Sequence, residues 1–249
     1  MQTFTQRLAN PTRFMELSAR LLPWMAFLAC VLIAVGLVMA FTAPLDYQQG
    51  HAAKIMYVHV PAAWLSMLAY AMVAASSFGL LVFRHPLADV SAKSAALIGV
   101  VFTFVCLVTG SLWGKPMWGA FWSWDPRLTA ELVLFFLYLG LIALRSSVED
   151  EALAANLTAV LGIVGIVILP VIHYSVYWNS IHQPPSLSFG WPKIHPSLLW
   201  PLVTMTAGMQ ALFVALYLKA MRNEILRRRV KALRLTEVQV AAGLAEPAE

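Results

Sequence analysis

Five of the six histidines, His51, His59, His173, His182 and His195, lie in segments that flank one stretch, Trp113-Gly-Lys-Pro-Met-Trp118-Gly-Ala-Phe-Trp122-Ser-Trp124-Asp125-Pro-Arg127. That stretch holds four of the nine tryptophans. Neutral imidazole is the commonest protein ligand for metal ions and a common one for haem iron. Each indole presents a large flat apolar face and a single N–H donor, so four together suit a planar ligand or a membrane interface. A six-coordinate haem takes one imidazole on each face, from different elements. His59 opens the second apolar run and His182 lies just beyond the fifth, while the tryptophans stand between the third and fourth. Those two elements can sandwich a porphyrin. His51 and His195 sit in less constrained loops, and His173 lies inside or at the edge of its run, where it is placed to hydrogen-bond. A zinc site is the rival reading, but it would normally add Cys, Asp or Glu ligands, which these loops hardly offer.

The elements that must position these residues follow from composition. Sixty per cent of the residues are hydrophobic and 12% are charged, a balance foreign to a soluble domain of this length. A membrane-spanning helix needs about 20 mostly apolar residues, and six such runs occur, at about 21–41, 62–83, 95–113, 128–144, 157–177 and 197–218. Lone strands in lipid leave backbone groups unpaired, so the runs are helices. The expected fold is all-α: a six-transmembrane-helix bundle (21–220) with an outer tryptophan-rich loop at 114–127, a segment 1–20 before it and a basic tail 221–249 after it. The first run lacks a signal-peptide cleavage site and is kept as a permanent span. Cys30 and Cys106 fall inside spans without a close partner, which reads as two buried free thiols.

Placing both ends in the cytoplasm puts thirteen of the seventeen basic residues on that side, leaving Lys54, Lys115, Arg127 and Lys193 on the other. This is the positive-inside bias, and it puts the histidines and tryptophans outside. Nucleic acid is not needed to explain the net charge of +5. Pro61 suits the start of the second helix, since its missing N–H has no helical partner there. Gly114, Pro116 and Gly119 are expected to keep the tryptophan stretch from continuing the third helix beyond Trp113. Asp125 or Thr129 can cap the fourth helix, and Arg127 and Glu131 are spaced i, i+4, so that they can meet on one face. Glu131 then sits about one turn inside the membrane, where an ionisable group marks either function or that ion pair.

The tryptophan run is similar to the "WWD" signature of the haem-handling superfamily of cytochrome c maturation. Together with Asp46-Tyr-Gln-Gln-Gly50, Val58-His59-Val-Pro-Ala-Ala63, His173-Tyr-Ser175 and Trp178-Asn-Ser-Ile-His182-Gln183, it resembles the haem exporter protein C family of the bacterial System I pathway, over about residues 21–218. The resemblance implies haem b held at the periplasmic surface of the inner membrane, with His59 and His182 as axial ligands and Trp113, Trp118, Trp122 and Trp124 as its seat. Arg127 and Lys54 are the outer cations best placed for haem propionates, and Asp125 is expected to fix the loop. The implied partners are a membrane-anchored periplasmic haem chaperone, the ATPase and membrane subunits of an ABC transporter, a small single-span protein and membrane lipid. No nucleophile with an activating base is evident, so binding and delivery are expected rather than catalysis. A haem transporter across the inner membrane or a haem lyase component acting on apocytochrome is the alternative; known lyases of this kind are longer and have more spans. A channel with an aromatic belt would spread its aromatics over both surfaces.

Overall fold

The computed structural model describes residues 10–178 and 194–242. These form α1 (Pro11–Thr42), α2 (Met56–Phe83), α3 (Ala88–Trp118), α4 (Pro126–Ser147), α5 (Glu151–Val164), α6 (Ile168–Tyr174) and α7 (Pro196–Ala241). A 3-10 turn, Gly165–Val167, joins α5 to α6, so that six helical segments are long and apolar enough to cross a membrane. The all-α bundle expected from composition is therefore present. α2 lies along α3 and α1 lies along α7, around a core that includes the fully buried Tyr57, Tyr70, Leu134, Tyr138 and Phe213. α1 turns Trp24, Phe27, Val38 and Phe41 outward. Both cysteines are unpaired; Cys106 is buried, whereas Cys30, expected to be buried, is exposed on α1.

Several helix ends differ from the apolar runs, for local reasons. Asn10 caps α1 by accepting from Thr12 N–H at 2.9 Å, with Pro11 in the first turn, so the helix begins well before its apolar residues do. α2 starts at Met56, not after Pro61, because a 3-10 turn, His51–Ile55, leads directly into it. Pro61 is thus inside the helix and forfeits one backbone bond near its start. His59 consequently stands in the first turn of α2 instead of ahead of it. α7 runs unbroken from the sixth span through the basic tail as far as Ala241. At about 1.5 Å per residue it is roughly 70 Å long, more than twice the ~30 Å hydrocarbon core of a bilayer.

The end of the bundle opposite the tryptophans is closed by ions. Asp89, at the start of α3, is buried against Arg145 of α4 and Arg228 of α7. Arg145 grips it through two nitrogens. Glu224 of α7 accepts from Lys93, Arg227 and Arg228, each at 2.8 Å. Glu151 at the start of α5 pairs with Lys231 at 2.8 Å. Removing one partner of a buried pair strands the other charge and typically costs about 3–5 kcal/mol. Asp89→Ala is therefore expected to lower the thermal midpoint in detergent and to expose α7 beyond Met221 to protease, while Glu151→Ala, on a half-exposed pair, costs under about 1 kcal/mol. Equal midpoints for the two variants would contradict this.

Candidate functional site

The tryptophan stretch is built in two parts. α3 continues through Gly114 and Pro116 to Trp118 and ends only at Gly119, whose φ of 78° is the left-handed conformation that glycine adopts most readily. The expected break just after Trp113 is absent. A proline in a last turn removes one hydrogen bond, and packing outweighs that loss: Gly114 is buried directly under the Trp118 indole, where a Cβ would lie 2.9 Å from the ring. Lys115 secures the helix end, donating to the Gly119 carbonyl at 3.0 Å and standing 5.3 Å over the Phe121 ring. The remaining residues to Asp125 form a short non-helical link. Within it Trp122 and Trp124 meet edge to face, with centroids 5.6 Å apart. Trp124 is 76% exposed, whereas Trp113, Trp118 and Trp122 are half-buried. The Trp122 Nε1 hydrogen is buried with no acceptor among the described residues. Asp125 closes the link as the cap of α4, accepting from Leu128 N–H at 2.8 Å, with Pro126 in the first turn.

His59 faces the last turns of α3. Its Nδ1 lies 3.1 Å from the Cys106 carbonyl and 3.1 Å from Thr109 Oγ1. A carbonyl only accepts, so Nδ1 carries the proton and Nε2 keeps the lone pair. Gly110 admits the ring, since a Cβ there would sit 3.0 Å from His59 Cε1. Trp113 meets the imidazole edge to face, at 5.6 Å and 81°. Its own N–H donates to Gln49 Oε1 at 3.0 Å. Gln49 is held by a turn in which Asp46 Oδ1 accepts from the N–H groups of Gln48 and Gln49, at 2.9 and 2.8 Å. Gln49 and Thr109 are thus parts of the site that residue types alone did not single out. Gln49 entered only as part of the Asp46–Gly50 motif of the family resemblance, and Thr109 sits in an apolar run where it reads as a span residue.

Other expected residues are placed differently. Lys54 Nζ donates to the Phe41 carbonyl at the end of α1, at 2.7 Å. Arg127 is half-buried in the first turn of α4, but no ion pair with Glu131 stands among the described residues; Glu131 accepts from Ser66 at 2.8 Å instead. His51 and His173 are exposed, the latter edge to face with Tyr174 at 4.8 Å, and His195 caps α7. His182 lies outside the described residues. Among the described residues no three of His, Cys, Asp and Glu gather in a way that could hold a metal ion.

A family model described as "Heme exporter protein C" matches residues 4–236. The chain is 53% identical, over 96% of its own length and 92% of the relative's, to the heme exporter protein C of Bradyrhizobium diazoefficiens. It is 45% identical to that of Escherichia coli K12, over 88% of this chain and 90% of the other, and 43% identical to that of Paracoccus denitrificans, over 90% and 95%. The close fit of Trp118 on Gly114 yields a prediction. Gly114→Val forces the indole off its seat at a cost of about 1–3 kcal/mol, seen as a red-shifted tryptophan emission and a lower thermal midpoint with unchanged helix content by far-ultraviolet circular dichroism. An unshifted emission would mean that Trp118 does not rest there.

Proposed function

The chain belongs to the heme exporter protein C family, and from that membership we propose that it binds haem b at the periplasmic surface of the bacterial inner membrane and presents it to a membrane-anchored haem chaperone. The chaperone thereby acquires its covalent haem for c-type cytochrome maturation. On this reading both termini are cytoplasmic. The chain works beside the ATPase and membrane subunits of an ABC transporter and a small single-span protein, and ATP hydrolysis belongs to those partners. The role is binding and delivery, not catalysis.

The observation that carries the proposal is the tautomer of His59. An imidazole that gives its Nδ1 hydrogen to a backbone carbonyl is oriented and made more basic at Nε2, the usual arrangement of a metal-ligating histidine. His59 Nε2 is the ligand on one face and His182 supplies the other. The half-buried indoles of Trp113, Trp118 and Trp122 and the exposed one of Trp124 form an apolar seat. The Trp122 N–H, without an acceptor among the described residues, is available to an acceptor on the bound molecule. Arg127, at the first turn of α4, takes one propionate through its fork. Lys54 spends one of its three donors on Phe41, which leaves two for the other propionate. Asp125 acts on the loop through its cap and not on haem.

The visible spectrum of the purified protein tests the ligands. His59→Ala and His182→Ala are each expected to lower the co-purified haem by roughly 10-fold or more, since even outer partners of a metal ligand are worth that much, and to move the Soret band of what remains. Full haem with an unchanged band in both variants would sink the axial assignment. Replacing Trp118 and Trp122 together by Ala is expected to reduce haem loading of the chaperone while membrane insertion persists. Equal loss of both would make the indoles a folding element only.

A further inference from the structure

The ionic clasp borders a cavity of about 210 Å³ between α2, α3, α4 and α5, at the end of the bundle opposite the tryptophans. Along α3 and α4 its lining passes from Asp89, Lys93, Arg145 and Ser146 near the clasp to Ala96 and Leu141 deeper in the bundle. Val73 of α2 and Ala159 of α5 complete the apolar interior. A polar mouth thus leads to hydrocarbon walls. Apolar cavities of about 150 Å³ stay dry and take up hydrocarbon guests, so water does not fill such an interior. A partner helix, about 10 Å across with its side chains, is too wide for it, whereas a single hydrocarbon chain is not.

Two further observations describe the head of the occupant. Ser77 lines the cavity and is 1% exposed, and its hydroxyl has no partner among the described residues. Other hydroxyls of the lining are satisfied within their own helices: Thr158 donates to the Ala154 carbonyl at 2.7 Å and Ser146 to that of Ala143 at 2.9 Å. The neighbouring Ser76 bonds Ser91 at 2.5 Å, which sets Ser77 at a depth between Asp89 and Lys93, just inside the polar mouth. A buried hydroxyl is costly without an acceptor, and the ester carbonyls of a phospholipid lie at such a depth, between its phosphate and its chains. Charge is the second observation. The clasp joins five cations, Lys93, Arg145, Arg227, Arg228 and Lys231, to three acids, Asp89, Glu151 and Glu224, so positive charge is left over. Lys93, at the mouth, spends one of its three donors on Glu224 at 2.8 Å. Basic pockets between membrane helices suit anionic lipid headgroups.

We propose that this cavity holds one acyl chain of an anionic phospholipid from the leaflet at the clasp end, with its phosphate at Lys93 and an ester carbonyl at Ser77. On the orientation proposed above that leaflet is the cytoplasmic one. The site uses no residue of the tryptophan end, so it stands or falls apart from the His59 assignment.

The test is native mass spectrometry of the full chain in detergent, offered equal amounts of phosphatidylglycerol and phosphatidylethanolamine with the same acyl chains. The folded protein is expected to retain one phosphatidylglycerol about 5-fold over phosphatidylethanolamine, the worth of roughly one basic residue at an anionic headgroup. Lys93→Gln is expected to erase that preference and Lys93→Arg to keep it. Ser77→Ala is expected to weaken retention of both lipids alike, because both carry the ester carbonyl. Ala159→Leu, which fills the buried interior, is expected to lose the bound lipid, and Ala96→Leu takes its place should that variant fail to accumulate. Phe27→Leu, on the outward face of α1, is expected to bind as the wild type does. Equal retention of the two lipids by the wild type would overturn the proposal. So would a preference that survives filling of the cavity, since the lipid then sits on the outer surface of the bundle. Unchanged retention in Ser77→Ala, or a preference kept by Lys93→Gln, removes the head from its assigned place, and the proposal falls in either case.

Discussion

The hydrogen bond from His59 Nδ1 to the carbonyl of Cys106 is the interaction around which the tryptophan end is arranged. A backbone carbonyl inside a helix is already the acceptor of its own ladder, and a side chain from another helix reaches it only where the intervening residue presents no side chain. Gly110 provides that opening, a turn beyond Cys106 on α3. Thr109 adds a second acceptor at the same distance while its own hydroxyl is turned back onto the Val105 carbonyl. Trp113, one further turn along, then closes on the imidazole and is itself held by Gln49. Four successive positions on one face of α3 are thereby committed to a single ring on α2.

The spans were legible because burial in lipid needs about 20 apolar residues whatever their order; the α4 cap was narrowed to Asp125 or Thr129, and the chain uses Asp125, which precedes Pro126. The helix ends were less so. Gly114 and Pro116 read locally as breakers, but the energy that carries α3 to Trp118 comes from an indole laid on Gly114, a contact between side chains that propensity does not encode. Pro61 misled in the opposite way, since a proline suits a first turn and the chain has started its helix one turn earlier. Spacing placed Arg127 opposite Glu131, yet the partner of Glu131 is Ser66, 65 residues away. Lys54 was identifiable as an outer cation, but not its bond to the Phe41 carbonyl, which depends on how α1 ends. His182 was singled out by its motif and lies outside the described residues.

The opposite end shows the same economy of charge in reverse. Basic residues that a count assigns to the cytoplasmic side are also joined to acids: Arg145 and Arg228 to Asp89, and Lys93, Arg227 and Arg228 to Glu224. A positive bias in sequence and an ion-paired clasp in space, still net positive, are the same residues seen at two stages, before and after the helices meet. Because the clasp joins α3, α4 and α7, it holds shut the end of the bundle farthest from the histidine.

α7 gives the molecule a mechanical element. A continuous helix is stiff along its axis, and α7 runs without a break from its His195 cap, beside the tryptophan end, to Ala241 beyond the ionic clasp. Its one internal proline, Pro201, lies near the capped end. A displacement applied at the far end is carried along the rod to that proline, the point where the lever is softest.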